Sequence, residues 1–521
     1  MAHAARRFAL LTLAAAAAAV PARGQTAVPT DSSLRRATAT ITAADFQAKL
    51  EALAHDSTRG RETPTPELAK AAAWVANQFA AAGLRPAGDA GGFLQHFVMQ
   101  QIRLDSLTTV SVTQQGRTTA WQLGQDIVFA VGGLPREVRD APVVLMAGVP
   151  SDTLHPFGDV PVRGAVLLHV LAPDQITGRV LNPLERRADA EGVAAHIVAS
   201  AIPDDMWAGL RRGSFPQQTL LPDGPPRDMG HRLSAFGVRL ETVAGLLRAA
   251  GEDPAALAAP AAPLVRPIPG LTVTITLHHT EVWEATVANV VGVLEGSDPA
   301  LRDEAVVFTS HIDHVGVIPG RCRASRVLPA DSICNGADDN ASGTVGVIEL
   351  AEAFAALEHR PARTLVFAAV NAEERGLVGA RFHVAHPVVP LDRTAAVINL
   401  DMIARNPPDT AGFVGKDFTS LGSVVDDVLR AHPELRLTAV DHAGMFGASD
   451  HFPFAQRGVP ALFLFSGEHA DLHTAADNPD RANADQAARI VRLAFYVGEA
   501  VANAPGRPTW DPEARARIVT R

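Results

Sequence analysis

From about residue 285 onward, short unbroken apolar runs alternate with longer stretches in which apolar residues recur every three or four positions. "EAVVFTS" (304–310), "RTLVFAAV" (363–370), "AAVINL" (395–400) and "PALFLF" (460–465) predict strands. "ASGTVGVIELAEAFAAL" (341–357) and "ADQAARIVRLAFYVGEAVANA" (484–504) predict helices between and after them. Strands without polar alternation are buried on both faces, and strands interleaved with helices favour parallel pairing. The predicted class is therefore α/β, a mostly parallel mixed sheet flanked by helices. No internal repeat is visible.

Upstream the texture differs. Residues 41–83 carry helical signals: "PELAKAAAWVANQFAAAGL" has the right periodicity, and Gly83 supplies a stop. Between about 125 and 265, short runs such as "APVVLMAG" and "GAVLLHVL" alternate with Pro- and Gly-bearing turns. There "RRADAEGVAAHIVASAI" predicts a helix leading into a strand. The Ala- and Pro-rich "EDPAALAAPAAPLVRPIPG" reads as a linker or an irregular return. The first residues, "MAHAARRFALLTLAAAAAAVPARG", have the form of a signal peptide, with Arg6 and Arg7 before an apolar run from Phe8 to Val20. Cleavage is expected near Ala22 or Gly24. The run is short for a membrane-spanning helix. The expected limits are 1–24 for the signal, 25–124 for the first part of a catalytic domain, 125–270 for a β-rich insert, 271–505 for the rest of the catalytic domain and 506–521 for a tail.

Composition adds exclusions. The chain has 521 residues, 47% of them hydrophobic and 20% charged, with a formal net charge of −10. Loss of Arg6, Arg7 and Arg23 with the signal takes −10 to −13. No basic cluster offsets this charge, so nucleic acid is not an expected partner, and no later run is apolar enough to imply stable membrane association. The expected location is the periplasm or the medium. Export permits a disulfide. The only cysteines, Cys322 and Cys334, lie in one loop-like stretch and are expected to pair, with two free thiols as the alternative.

Ligands of open α/β sheets bind outside the carboxyl ends of the strands. At those ends the chain places His311 and Asp313 in "HIDH", Glu373 and Glu374 in "NAEE", and Asp401 in "NLDM". His473 and Asp477 follow in "DLHTAAD", while "GADDNASG" sets Asp338 and Asp339 at a helix start. Singly each has an ordinary reading; Asp339, for instance, could cap its helix. Together they would bury several carboxylates at one edge, which is costly unless cations neutralise them. A metal site follows, and mixed His and carboxylate donors suit zinc. Asp313 and Asp477, two and four positions from the histidines, are expected to orient the imidazoles.

The ordered motifs His-x-Asp, Gly-Ala-Asp-Asp-Asn-Ala-Ser-Gly, Glu-Glu-x-Gly-Leu-x-Gly, Asn-Leu-Asp-Met and His-Thr-x-x-Asp resemble the M28 family of zinc peptidases, mostly aminopeptidases. The resemblance spans about 285–503, and "STRGRET" looks like the family's opening turn. It implies the zinc exopeptidase fold, with two Zn²⁺ per chain and a peptide substrate. His311 and Asp401 would hold one ion, Glu374 and His473 the other, with Asp339 as bridge and Glu373 as general base. Adjacent acids thus have separate tasks, one held by metal and one free. The middle region looks like the protease-associated domain inserted in secreted members. The implied function is that of a secreted di-zinc exopeptidase acting on N-terminal residues. A carboxypeptidase or dipeptidase, a single-zinc acyltransferase and a non-catalytic binding relative are the alternatives. One position departs from the family pattern: Leu472 stands where a tyrosine commonly precedes the last histidine. His442 and His451 are candidate replacements for its hydroxyl.

Overall fold

The computed structural model describes residues 31–519 apart from 132–136, 153, 216 and 223–232. The expected signal peptide lies outside the described residues.

Two sheets organise the chain. The first has ten strands, and its centre is four parallel strands in the order Ala461–Leu464, Thr394–Leu400, Ala305–His311, Thr364–Val370. These are the four predicted apolar runs. They are buried on both sides because successive side chains point to opposite faces. Val306, Phe308, Phe367 and Ile398 pack under the helices Ala43–Leu53, Pro66–Ala81, Gly343–Ala355 and Ala484–Asn503. Val307, Val366, Val397 and Phe463 fill the opposite face, beneath Val378–Ala385 and His451–Gln456. The fold class is α/β as predicted.

Connections from the central strand Ala305–His311 determine where a site can form. The helix Gly343–Ala355 leads to Thr364–Val370 on one side, and the chain then crosses to Thr394–Leu400 on the other. The loops after His311 and Leu400 therefore diverge, which opens a crevice between the ends of adjacent strands. Antiparallel strands extend the sheet, including the long pair Leu94–Leu104 and His279–Leu294.

This pair leads to the second sheet, of eight strands. The excursion leaves and returns at one point, where Thr108 Oγ1 donates to the His278 carbonyl at 2.8 Å. The expected limits 125 and 270 fall inside this unit. Thr109–Gln114 and Arg117–Gln122 already belong to it, as a hairpin turning at Gln115 and Gly116 with positive φ. Arg117–Gln122 is mostly exposed and Thr109–Gln114 has only Val110 and Val112 as apolar residues, so the hairpin gave little apolar signal. The stretch read as an irregular return also differs, because Leu264–Thr276 is a strand paired with Val138–Ala147. Its register breaks between Ile268 and Thr272, beside Pro269, where a missing N–H is tolerated. The unit is not simply β-rich. Val138–Ala147, Val166–Val170, Ala195–Ser200 and Ala235–Arg239 run parallel, with helices Gly178–Ala190 and Leu240–Ala249. One of its segments goes back to the first sheet: Gln217–Leu220 pairs with Leu94–Leu104 at the sheet edge.

Candidate metal centre

His311 ends the central strand, and Asp401 follows the adjacent strand Thr394–Leu400. Their facing atoms, His311 Nε2 and Asp401 Oδ1, are 3.5 Å apart across the crevice. Asp339 reaches the same point from the turn before the helix Gly343–Ala355. Its Oδ1 is 3.5 Å from His311 Nε2 and its Oδ2 is 3.0 Å from His473 Nε2. Glu374 Oε1 lies 3.1 Å from the same His473 nitrogen. One carboxylate thus offers each of its oxygens to a different cluster. Asp338 points away, its Oδ1 accepting from the Ala404 N–H at 2.7 Å and its Oδ2 lying 3.3 Å from His469 Nε2.

Two further carboxylates hold the backbone that carries these side chains. Asp313 accepts from the N–H groups of Glu373 (3.1 Å) and Glu374 (3.3 Å), fixing the turn that separates the paired acids. Its backbone carbonyl lies 3.1 Å from His311 Nδ1 and its side-chain Oδ1 3.7 Å, so it also orients that ring. Asp477 accepts from the N–H groups of Asp338 and Asp339, at 3.0 Å from each. It was expected to orient His473. Instead it holds the Asp338–Asp339 turn, because the turn after His473 carries its carboxylate towards that backbone.

Three contributors went unnoticed in the sequence. Arg61, of "STRGRET", is fully buried and donates to the carbonyls of Ile312, Asn335 and Gly336, tying two ligand loops together from behind. Ser449 donates to Asp401 Oδ2 at 2.7 Å, leaving Oδ1 for the crevice. His314 turns its Nδ1 towards Glu374 Oε1 and Asp339 Oδ2, at 3.2 and 3.4 Å. The signal for Arg61 was its place in a recognised turn; for Ser449 and His314 there was none beyond proximity to a motif.

The electrostatics follow from this crowding. Burial opposes charge on His311, yet the carboxylates of Asp401, Glu373 and Asp339 outweigh it and hold its pKa well above the ordinary value. Burial likewise opposes charge on His473, but Asp339 and Glu374 push it up to about 10. Burial and repulsion from Asp339 would raise Glu374, but contacts with His314 and His473 bring it down to about 2. For Glu373, burial together with Glu374, Asp450 and Asp401 outweighs the pull of His311 and raises its pKa well above the ordinary range. Several groups keep unsatisfied atoms: Glu374 Oε1, Asp401 Oδ1 and both nitrogens of His314 are buried without a hydrogen bond. Orphaned donors converging from His and carboxylate side chains fit zinc. The groups able to hold an ion are His311, Asp339 and Asp401, and His314, Asp339, Glu374 and His473. A third acidic group, Asp45, Glu349 and Glu352, already surrounds the Lys49 ammonium at 2.6–2.7 Å.

The centre opens into a cavity of about 530 Å³. Glu373 lines it, with Oε2 4.0 Å from His311 Nε2, and so do Leu472, Phe465, Arg321 and Arg375. Gln217 and Thr219, from the segment that the second unit returns, also line it. His442 and His451 do not. The ring of His451 is clamped between Phe446 and Phe463, with centroids 4.7 and 4.6 Å away, and His442 stands beside Phe465. Neither replaces the tyrosine hydroxyl. At the cavity rim Cys322 and Cys334 form the expected disulfide.

Residues 289–498 match peptidase family M28. The chain is 31% identical over 140 residues to leupeptin-inactivating enzyme 1 of Streptomyces exfoliatus, an alignment covering 26% of this chain and 31% of that protein. It is 25% identical over 251 residues to a Saccharomyces cerevisiae protein named a probable aminopeptidase, covering 46% of this chain and 64% of that one. The chain thus spans less than two thirds of the length of either relative. Among solved structures it resembles an aminopeptidase from Aneurinibacillus sp. strain AM-1, at 17% identity and a TM-score of 0.48, covering 92% of this chain and 98% of that one. The match at residues 289–498, which takes in every residue of both candidate metal-binding groups at the crevice, identifies this part of the chain as a peptidase family M28 domain.

Proposed function

We propose that the chain is an exported di-zinc exopeptidase that removes N-terminal residues from peptides. The observation that carries this reading is Asp339, whose two oxygens face separate histidine and carboxylate clusters, as a bridging ligand must. Zinc, when bound, supplies Lewis-acid polarisation of the scissile carbonyl and lowers the pKa of water. His311 and Asp401 hold one position, Glu374 and His473 the other. Glu373 stays outside both sets on the cavity side, where it takes a proton from the attacking water and returns it to the leaving amine. Asp313 supports this division by anchoring the backbone of both glutamates, so that neighbouring carboxylates keep different directions. Glu468 on the cavity wall offers a carboxylate to a free α-amino group. Export agrees with the Cys322–Cys334 disulfide. The second unit occupies the place of the expected protease-associated insert, and Gln217 and Thr219 give it a share of the substrate wall.

A second reading, carboxypeptidase or dipeptidase action, is favoured by Arg321 and Arg375, which bring guanidinium groups to the same cavity. A substrate panel separates the two. Purified full-length chain should contain two zincs, lose them to chelator and regain activity with zinc. It should cleave amino-terminally free aminoacyl anilides and ignore their N-acetylated counterparts. Equal cleavage of N-blocked peptides would overturn the aminopeptidase reading, and full activity after thorough metal removal would overturn zinc catalysis.

A further inference from the structure

His314 is the one imidazole of the centre that the five-residue ligand set leaves unused. Its surroundings are unusual for a structural histidine. The ring is wholly buried, and neither nitrogen makes a hydrogen bond among the described residues. A buried imidazole with no well-formed hydrogen bond is costly, and Nδ1 is aimed at carboxylate oxygens, an arrangement a shared cation would satisfy. The ring sits against Gly336, where an added Cβ would come within 2.5 Å of ring atoms. Gly336 also has φ 57, the left-handed region that favours glycine. The backbone is thus shaped to let this ring face inward.

What it faces is the second cluster. Nδ1 is 3.2 Å from Glu374 Oε1 and 3.4 Å from Asp339 Oδ2, while His473 Nε2 is 3.1 and 3.0 Å from the same two oxygens. Donors placed tetrahedrally at about 2.0–2.1 Å from zinc are separated by about 3.3 Å. The four histidine-to-carboxylate distances already have that spacing, and all four donor atoms lie within 4.8 Å of one another.

We propose that His314 is a sixth protein ligand of the centre, so that the metal position shared by Glu374 and His473 is closed by four protein donors while the position of His311 and Asp401 keeps three. The inference rests on the di-zinc reading above and refines it by making the two positions unequal. The position without a fourth protein donor is the one beside Glu373, whose Oε2 lies 4.0 Å from His311 Nε2. Closed sites with four protein ligands hold zinc structurally, whereas sites with three keep room for water or substrate. The closed position should retain its ion longest, and the open one should exchange readily.

The test is a zinc titration of the full chain against a competing chelator, with cobalt as a spectroscopic substitute. Wild type should show two classes of site. His314→Gln should weaken the tighter class by at least 10–100-fold, a range that already applies to residues acting only through a ligand. Asp401→Asn should weaken the other class. One equivalent of cobalt should give the intense visible bands of a four-coordinate ion in wild type and lose that intensity in His314→Gln. His314→Asp, which returns an oxygen donor, should recover part of the tight class; it serves as the second variant if the first does not fold. Two zincs in wild type together with unchanged affinities and cobalt spectra in both His314 variants, while Asp401→Asn still weakens a site, would overturn this inference and leave the di-zinc reading intact. Fewer than two zincs in wild type would overturn both.

Discussion

Two sets of buried histidines, His169 and His196 in the second unit and His311 at the candidate metal-site crevice, sit in opposite electrical surroundings. In the second unit His169 and His196 stack at the heart of the sheet, ring centroids 5.5 Å apart, with His169 Nε2 bonded to the Gly148 carbonyl at 2.8 Å. Burial and its histidine neighbour push the pKa of His169 down to about 3. In the M28 domain His311 is equally buried, yet carboxylates drive it the other way. Burial alone does not mark a ligand. What separates the two is the convergence of acids whose oxygens lack partners, supplied by the divergent loops of a parallel sheet at its switch point. In the second unit one acid among the described residues, Glu185, comes within ion-pair distance of the pair, 3.5 Å from His196 Nδ1.

The largest expected effect tests the division of labour inside the acidic cluster. Glu373→Gln should lower turnover by roughly 10²–10⁴-fold, the range of general acid–base catalysis. Zinc content should be unchanged. Glu374→Gln should lose metal together with activity. If Glu373→Gln loses a zinc and Glu374→Gln keeps both, the two roles are reversed.

Next is Arg61→Met. It removes the Arg61 donor from the carbonyls of Ile312 and Asn335, while Gly336 keeps the Ala341 N–H, and a buried unpaired group costs about 1–3 kcal/mol. The expected loss is about 3–5 kcal/mol in all, read as a lower denaturant midpoint. The analogous loss of His169 removes only one recorded carbonyl contact, to Gly148, and should be milder.

Reduction of Cys322–Cys334 should cost at most about 3 kcal/mol, because the bond closes a short loop. The loop carries Arg321 to the cavity, so faster proteolysis of residues 317–334 should precede global unfolding. Simultaneous loss of both would contradict a local role.

The smallest effect comes from the second unit. The folded pKa of His169 lies below its unfolded value of about 6.5, so its contribution to stability is present above pH 6.5 and falls as the pH drops from there towards about 3. His169→Gln should flatten the decline in Tm between pH 7 and 5 by the equivalent of about 2 kcal/mol, with zinc content at the wild-type level. A loss of zinc in this variant would break the distinction between the two units.

Much of the M28 domain was legible because its signals are local. The runs 304–310, 363–370, 395–400 and 460–465 became strands within a residue or two, since an apolar stretch of that length needs both faces covered. The order of acids and histidines at their ends placed the proposed ligands at one edge. The hairpin Thr109–Gln122 and the proline-bearing strand Leu264–Thr276 were not legible, because the hairpin's apolar content is sparse and the two join the sheet by pairing with each other and with Val138–Ala147 across more than a hundred residues.

The sequence by itself determined the α/β class of the M28 domain and the residue types delivered to its crevice, because periodicity and strand ends are written within about ten residues. Tertiary structure alone decided how Asp339 divides its oxygens and which backbone Asp477 holds. It also turned His314 inward against Gly336 and brought Gln217 and Thr219 back from the second unit to the cavity wall. These depend on side-chain direction and on pairings across a hundred residues or more, which are settled by packing and electrostatics once the elements have come together.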